Sequence, residues 1–409
     1  MSHPCPKVGR TSTRAGAPGP LRWWWILGVL AASAGLGLGT ASAAVEEPVA
    51  GPASSGGAVP PRTRLSEIFQ YRQEVVPEVP WSSHVVRASR TAPALGFEVL
   101  LGRGGVIGNA TVTDQLRLLP GTAGKPIAAI NGDYFVRDGD FAGDPEGLCI
   151  VQGELVSAPN GKSCFWLAPD GQPRLTNVVS RLQLELPDGT ASEVGLNEEW
   201  GDRRWVVFTP AMGGQVPRGA AREWVLEPAP GSPRLPLAAG ETYRLEVQEP
   251  RPGGGSPLRT GTLVLSDAAV PSSPLHGLSP GSRVTLRTTT EPDLRGVRTA
   301  IGGGPALIRG GKATGIRAAH VRHPRSAIGW SATDFYLVQV DGRQPGVSAG
   351  MTLEELTRWM LELGCQEALN LDGGGSSTLW CQGQVMNSPS EGGERPTGST
   401  LVLIRRPGR

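Results

Sequence analysis

The chain has 409 residues, enough for one large domain or two ordinary ones, and either buries a core without metal or disulfide help. A formal charge of +2 with no long run of lysine or arginine excludes the electrostatic footprint of a nucleic-acid binder or an anionic-membrane binder. The 58 glycines and 37 prolines, set among short β-branched runs, exclude a helical bundle and favour strands joined by many turns.

The N-terminus is basic up to Arg22, continues as "WWWILGVLAASAGLGLG" and ends in "TASA", where Ala41 and Ala43 satisfy the small-residue rule for cleavage. This predicts a secretory signal peptide over residues 1–43. The alternative is an uncleaved anchor, because residues 23–39 approach the length of a short membrane span. Both place the bulk of the chain outside the cytoplasm, secreted or periplasmic, with membrane contact through this segment only. Cleavage would remove Cys5 and leave Cys149, Cys164, Cys365 and Cys381, an even number in an oxidising compartment. Sequence proximity pairs Cys149 with Cys164 and Cys365 with Cys381, although four cysteines allow three connectivities. Without a Cys-x-x-Cys pair, zinc is not expected.

Residues 44–80 read as a disordered tether, its first twenty positions rich in Pro, Gly, Ala and Ser. Residues 81–409 read as the folded domain, opening with short alternating stretches such as "HVVRAS", "GFEVLLG" and "KPIAAINGDYF", each bounded by turn formers. Within it, residues 211–262 bracket one strand-like run, "TYRLEVQ", with Pro- and Gly-rich loops, which predicts a peripheral insertion.

The stretch "MTLEELTRWMLELGC" carries the clearest helix. Thr352 and Glu355 form a capping box, Leu353, Leu356, Met360 and Leu363 recur at helical spacing, and Gly364 supplies the stop. It lies between two apolar runs, "DFYLVQVDG" and "EALNLDGGG", and that order predicts a βαβ unit. The expected fold class is therefore α+β: mixed β-sheets with few helices, including a βαβ unit near the C-terminus. If the two strands run parallel, Asp341 and Asp372 open onto one crevice at the carboxyl edge of the sheet.

"NLDGGGSSTL" then becomes the focus. Gly373, Gly374 and Gly375 permit positive φ and close approach of a ligand, their amides can form an anion-binding concavity, and Ser376 and Ser377 add hydroxyl donors. A structural turn would use the same glycines.

This stretch closely resembles the hallmark of the phosphodiester glycosidase family. "AAINGDYF", "GLCIVQGELVSAP", "AIGGGPALIRGGK", "HPRSAIGW", "YLVQVDGR" and "NSPSEGGERPTGSTLVLI" resemble further elements of that family in the same order, covering about residues 84–405. The resemblance implies hydrolysis of a sugar-1-phosphodiester at the anomeric carbon through an oxocarbenium-like state, which needs a carboxylate near the sugar. Asp372 is the first choice and Asp341 the second. A phosphomonoester is a good leaving group, so the demand shifts from a general acid to fixed positive potential, which suits Arg325 and the glycine turn. The resemblance also points to Asn131 and Asn370 for sugar hydroxyls or the attacking water, and to Glu394 and Arg395 as a second carboxyl and its neighbour. Asp133 departs from the family's pattern, which has glycine there, and a third acid at that place suits a sugar hydroxyl or a cation.

Three other motifs are set aside. "GVSAG" is separated by Pro345 and several loop residues from the strand that a nucleophile elbow requires, and no histidine follows Ser348. "HVRH" lacks nearby Cys or Glu, and "GGGPALIRGGKAT" breaks the P-loop register. The sequence reading is thus an exported hydrolase of sugar-1-phosphodiesters or phosphoglycans, with no cofactor assigned and a divalent cation left open. Its alternatives are a metal-dependent phosphodiesterase using Asp133, Asp341 and Asp372 as oxygen ligands, and a non-catalytic glycan binder.

Overall fold

Alternating burial along the strands shows why these sequences form sheets. The Arg283–Glu291 strand buries Val284, Leu286, Thr288 and Thr290, while the residues between them are half-buried or exposed, the pattern of a sheet with one face inward. The structure is a computed structural model and describes residues 65–201, 205–268, 273–316 and 320–407. Their strands form a 12-stranded, a seven-stranded and a five-stranded sheet. One large core lies on the 12-stranded sheet around Trp224, Tyr243, Leu184 and Leu265. A second core joins all three sheets, packing Phe97 and Leu401 against Phe165, Ile301, Ile328 and Leu369.

The fold is mostly β, 46% strand and 9% helix, with a nearly closed, barrel-like sheet, and this corrects the expected α+β class. The helix near the C-terminus is present as Leu353–Glu362, with the Thr352–Glu355 capping box and Gly364 at φ 85° just past its end. Its Leu356 and Met360 pack on Val338, Ala327 and Ala368. The segment around it is not a βαβ unit, however. The Asp334–Val340 and Glu367–Asn370 strands are not neighbours, because Arg325–Trp330 lies between them and pairs antiparallel with both. Sequence proximity suggested a direct crossover, but a strand from before the helix fills the gap. The two outer strands consequently share a direction. Arg325 pairs with Val340 and Ala327 with Asn370, so the start of the central strand sits between the carboxyl ends that lead into Asp341 and Asp372.

Further expectations change. Cys149, Cys164, Cys365 and Cys381 are all free and buried. The Cys149 and Cys164 strands are separated by Thr299–Gly302, which pairs with both, and Cys365 and Cys381 belong to different core clusters. The expected tether is folded over part of its length, since Phe69–Val76 is a strand paired with Trp81–Ser89. Residues 211–262 are not peripheral: Ala220–Pro228 and Thr242–Pro252 pair inside the 12-stranded sheet and bury Trp224, Leu226, Tyr243 and Leu245 completely or nearly so. The loops at the two ends of this segment misled the reading, because they flank strands whose inward faces are apolar. The expected signal peptide, residues 1–43 with Cys5, lies outside the described residues.

Candidate active site

The site is built on two asparagines. Asn131, fully buried at the end of the Lys125–Asn131 strand, donates its side-chain amide to the Asp372 carbonyl at 2.7 Å. Its Oδ1 accepts from Ser326 Oγ at 2.7 Å and the Thr378 amide at 3.1 Å. Asn370 donates to the carbonyls of Gly304 and Leu371, each at 2.8 Å, and to Tyr134 Oη at 3.1 Å. The Asn131 side chain and the Asn370 amide thus hold the fold's own groups together, whereas Asn370 Oδ1 is buried without a hydrogen-bond partner.

Beyond Asp372 the chain makes one tight turn over Gly374–Ser376. Gly374 takes φ 62°, which glycine adopts without a steric penalty. The Gly374 amide donates to Pro324 O at 2.9 Å, the Ser376 amide to Gly373 O at 3.2 Å and the Ser377 amide to Gly374 O at 3.2 Å. Of the three glycine amides expected to cradle an anion, that of Gly374 is therefore spent within the fold. What the glycines provide is room: a Cβ on Gly375 would collide with the guanidinium of Arg395 and the carboxylate of Glu391. Positive potential at the turn comes from side chains. Arg395 lies on it, with Nη1 donating to Ser376 Oγ at 3.4 Å and Nε to Glu391 Oε2 at 3.0 Å. The Arg343 guanidinium lies against Gly374, 3.3 Å from His323 Nδ1. Arg325 is half-buried, and donates through Nε to Met351 O at 2.8 Å and through Nη2 to Val321 O at 3.0 Å. Ser376 and Ser377 are both buried beneath the turn.

The four acids expected here have different fates. Asp372 is half-buried and reaches the edge of the turn; its amide donates to Gly132 O at 3.0 Å. Burial raises its pKa, against the opposing pull of the Ser376 hydroxyl, the Gly373 amide and Arg395. Asp341 is 2% exposed, and its carboxylate is surrounded. Oδ2 accepts from Ser82 Oγ at 3.0 Å and lies 3.0 Å from His84 Nε2, while Oδ1 accepts from the Ser388 amide at 2.9 Å and Gln339 at 3.3 Å. Asp133 is buried, accepts from the Tyr134 amide at 2.8 Å, and has its pKa pushed up to about 7 by burial. Glu394 accepts from the Thr113 amide at 3.0 Å, in the first turn of the Val112–Arg117 helix, so the partner of Arg395 is Glu391 instead. The Asp133, Asp341 and Asp372 trio does not assemble as a shared oxygen-ligand set: among the described residues no three His, Cys, Asp or Glu gather in that way.

Several groups at the site were not named from the sequence. Tyr134 shares its hydroxyl with Asn370 and donates to Gly304 O at 3.3 Å; burial first, then the charge of Asp372, raise its pKa, so it stays protonated at neutral pH. His323 has its pKa lowered by burial and by Arg325 and Arg343, which keeps the imidazole neutral. Glu391, Arg343 and Glu146 complete the surroundings. Tyr134 directly follows Asp133 in "NGDYF", and Arg343 ends "VDGR", so the motifs already quoted contained them; only their side-chain directions were hidden. By contrast Ser348 of the rejected elbow is buried and donates to Asp341 O at 2.6 Å, a structural bond.

The family description "Phosphodiester glycosidase" matches residues 243–404. "SPbeta prophage-derived uncharacterized protein YomE" of Bacillus subtilis is 40% identical over 85 residues, 20% of this chain and 13% of that protein. A hypothetical protein from Synechocystis superposes with a TM-score of 0.66 at 20% identity, covering 83% of this chain and 62% of its own. The "Putative exported protein" of Burkholderia pseudomallei K96243 gives 0.60 at 22% identity, covering 79% and 74%. At these identities the two structures share the fold. The chain spans under two thirds of the length of both YomE and the Synechocystis protein.

Proposed function

We propose, from the match of residues 243–404 to the phosphodiester glycosidase family, that this chain is an exported hydrolase that cleaves the glycosidic bond of sugar-1-phosphodiesters, releasing free sugar and a phosphomonoester. The family supports a glycosidase-type hydrolase and a glycan phosphodiester substrate. Export is supported by the signal-like residues 1–43 and by the name of the Burkholderia neighbour.

The observation that carries the reading is the setting of Asp372. Of the expected acids Asp372 and Glu394 are half-open, and Glu394 accepts from the Thr113 amide, whereas Asp372 stands beside Arg395 and Ser376 at a turn whose glycines make space for those groups. Its carboxylate meets the anomeric carbon, where positive charge develops as the bond to the phosphate oxygen lengthens. Arg395, Arg343 and Arg325 hold the departing phosphate by charge, which accounts for three arginines where a sugar alkoxide would need a strong acid. Tyr134, protonated, turns its hydroxyl from Gly304 O, 3.3 Å away, to a substrate oxygen. Asp341 acts as a positioning residue: by accepting from Ser388 it anchors the segment that carries Glu391 and Arg395.

Hydrolysis of a glycosyl phosphodiester in isotopically labelled water tests this directly. Label in the released sugar is the expected result. Label in the phosphate means attack at phosphorus, and absence of turnover across several sugars means a binder; either outcome removes the reading.

A further inference from the structure

Two backbone hydrogen bonds bring a second acid to the site. The Asp372 amide donates to Gly132 O at 3.0 Å, and the Glu146 amide donates to Tyr134 O at 2.9 Å. The acceptors are two positions apart in the chain, a span of about 7 Å at most. The loop between Tyr134 and Glu146 doubles back on itself, with the Val136 amide on Asp144 O at 2.9 Å and the Gly143 amide on Val136 O at 2.7 Å. Glu146 is therefore fixed to the same short piece of chain as Asp372. Its side chain is exposed, and Lys162 Nζ holds its carboxylate at 3.1 Å. Asn160 secures its carbonyl at 2.6 Å.

The remaining acids around the turn are committed elsewhere. Asp341 is enclosed by four partners, Asp133 lies buried under the segment, Glu394 caps a helix and Glu391 is paired with Arg395. The charge of Glu146 raises the pKa of both Asp372 and Asp133, which agrees with the backbone geometry.

We propose that Glu146 is a catalytic residue of the reaction assigned above, the general base that takes a proton from the attacking water. The inference rests on the glycosidase reading. The water oxygen forms its bond to the anomeric carbon; the bond from that carbon to its leaving oxygen breaks, and that oxygen keeps the electron pair. The water proton passes to the Glu146 carboxylate and from there to solvent, for which an exposed position is suited. Lys162 orients the carboxylate. Glycosidases place their two carboxyl groups roughly 5–9.5 Å apart, a range that anchors two positions apart can span.

The test compares the full chain with Glu146→Gln and Asp372→Asn on 4-nitrophenyl phosphodiesters of α-glucose 1-phosphate and α-N-acetylglucosamine 1-phosphate. Glu146→Gln is expected to lower kcat by 100-fold or more with KM within threefold, and added azide, which needs no deprotonation, restores turnover and yields a glycosyl azide. Glu146→Asp retains part of the rate. If the parent enzyme releases sugar, Asp372→Asn abolishes this, and Glu146→Gln keeps kcat within threefold, or loses it without azide rescue while the melting temperature is unchanged, the role of Glu146 is wrong and the glycosidase reading stands. If the parent releases no sugar, both fail together.

Discussion

Asn131 and Asp372 lie 241 positions apart in the chain, yet the side-chain amide of one donates to the backbone carbonyl of the other at 2.7 Å. The bond ties the Lys125–Asn131 strand of the five-stranded sheet to the turn that follows the Glu367–Asn370 strand of the seven-stranded sheet. An asparagine at this position acts as a rivet between sheets.

Replacing it strands three groups. Asn131→Ala leaves the Asp372 carbonyl, the Ser326 hydroxyl and the Thr378 amide without their partner in a buried site. Each unsatisfied group costs about 1–3 kcal/mol, partly recovered by relaxation or water. A loss of about 2–4 kcal/mol is expected, read as a lower urea midpoint at unchanged slope. A change under about 0.5 kcal/mol would show that the rivet holds nothing.

Asp372 governs the acid side of the rate profile. Burial raises its pKa above the ordinary aspartate value, and its ionised form is the active one. The rate therefore climbs with pH through a midpoint above the normal carboxylate range of about 3.9. Arg395 opposes that rise, so Arg395→Ala should move the acid limb of kcat/KM to higher pH and weaken inhibition by inorganic phosphate about tenfold or more. An acid limb that stays put in Arg395→Ala would separate the two residues.

Stability carries its own pH signature. Burial pushes Asp133 from 3.8 up to about 7 and Asp144 from 3.8 up to about 8. A raised carboxyl pKa means the folded state holds the proton more tightly than the unfolded state. The contribution is present in full below the unfolded value and is lost as pH rises through the folded one. Folding stability is expected to decline between about pH 4 and pH 8, by an amount on the order of a few kcal/mol. Asp133→Asn removes the part of the slope that ends near pH 7. Thermal melts of both proteins at half-unit intervals measure this, and parallel curves would rule it out.

How far the sequence led depended on whether a feature was local. The helix at Leu353–Glu362 was legible to its cap and stop because Thr352, Glu355 and Gly364 act within a few residues of one another. The glycine turn was legible for the same reason. The intervening Arg325–Trp330 strand was not, because strand neighbours are chosen by long-range pairing that no local pattern encodes. Asp341 looked like Asp372, each an acid before a glycine at a strand end. Only the packing of Ser82, His84 and Ser388, drawn from distant parts of the chain, distinguishes an enclosed carboxylate from an accessible one. Glu146 went unnoticed because its backbone anchor is a loop that doubles back on itself, without the alternation that marks a strand. The cysteines misled through sequence proximity: one strand lies between Cys149 and Cys164.

The segment 211–262 shows the same limit and yields the last expectation. Trp224 is completely buried on the Ala220–Pro228 strand, in the largest core, where Leu226, Tyr243 and Leu265 are buried too. If the segment were an accessory flap, Trp224→Ala would unfold it locally and leave the site stable. In a continuous sheet the cavity is felt by the whole domain, and replacing a buried Trp with Ala costs about 3–5 kcal/mol. A single cooperative transition is expected, shifted to lower denaturant, with activity and tertiary structure lost together. Two separated transitions, the site surviving the first, would mean that residues 211–262 form a unit of their own.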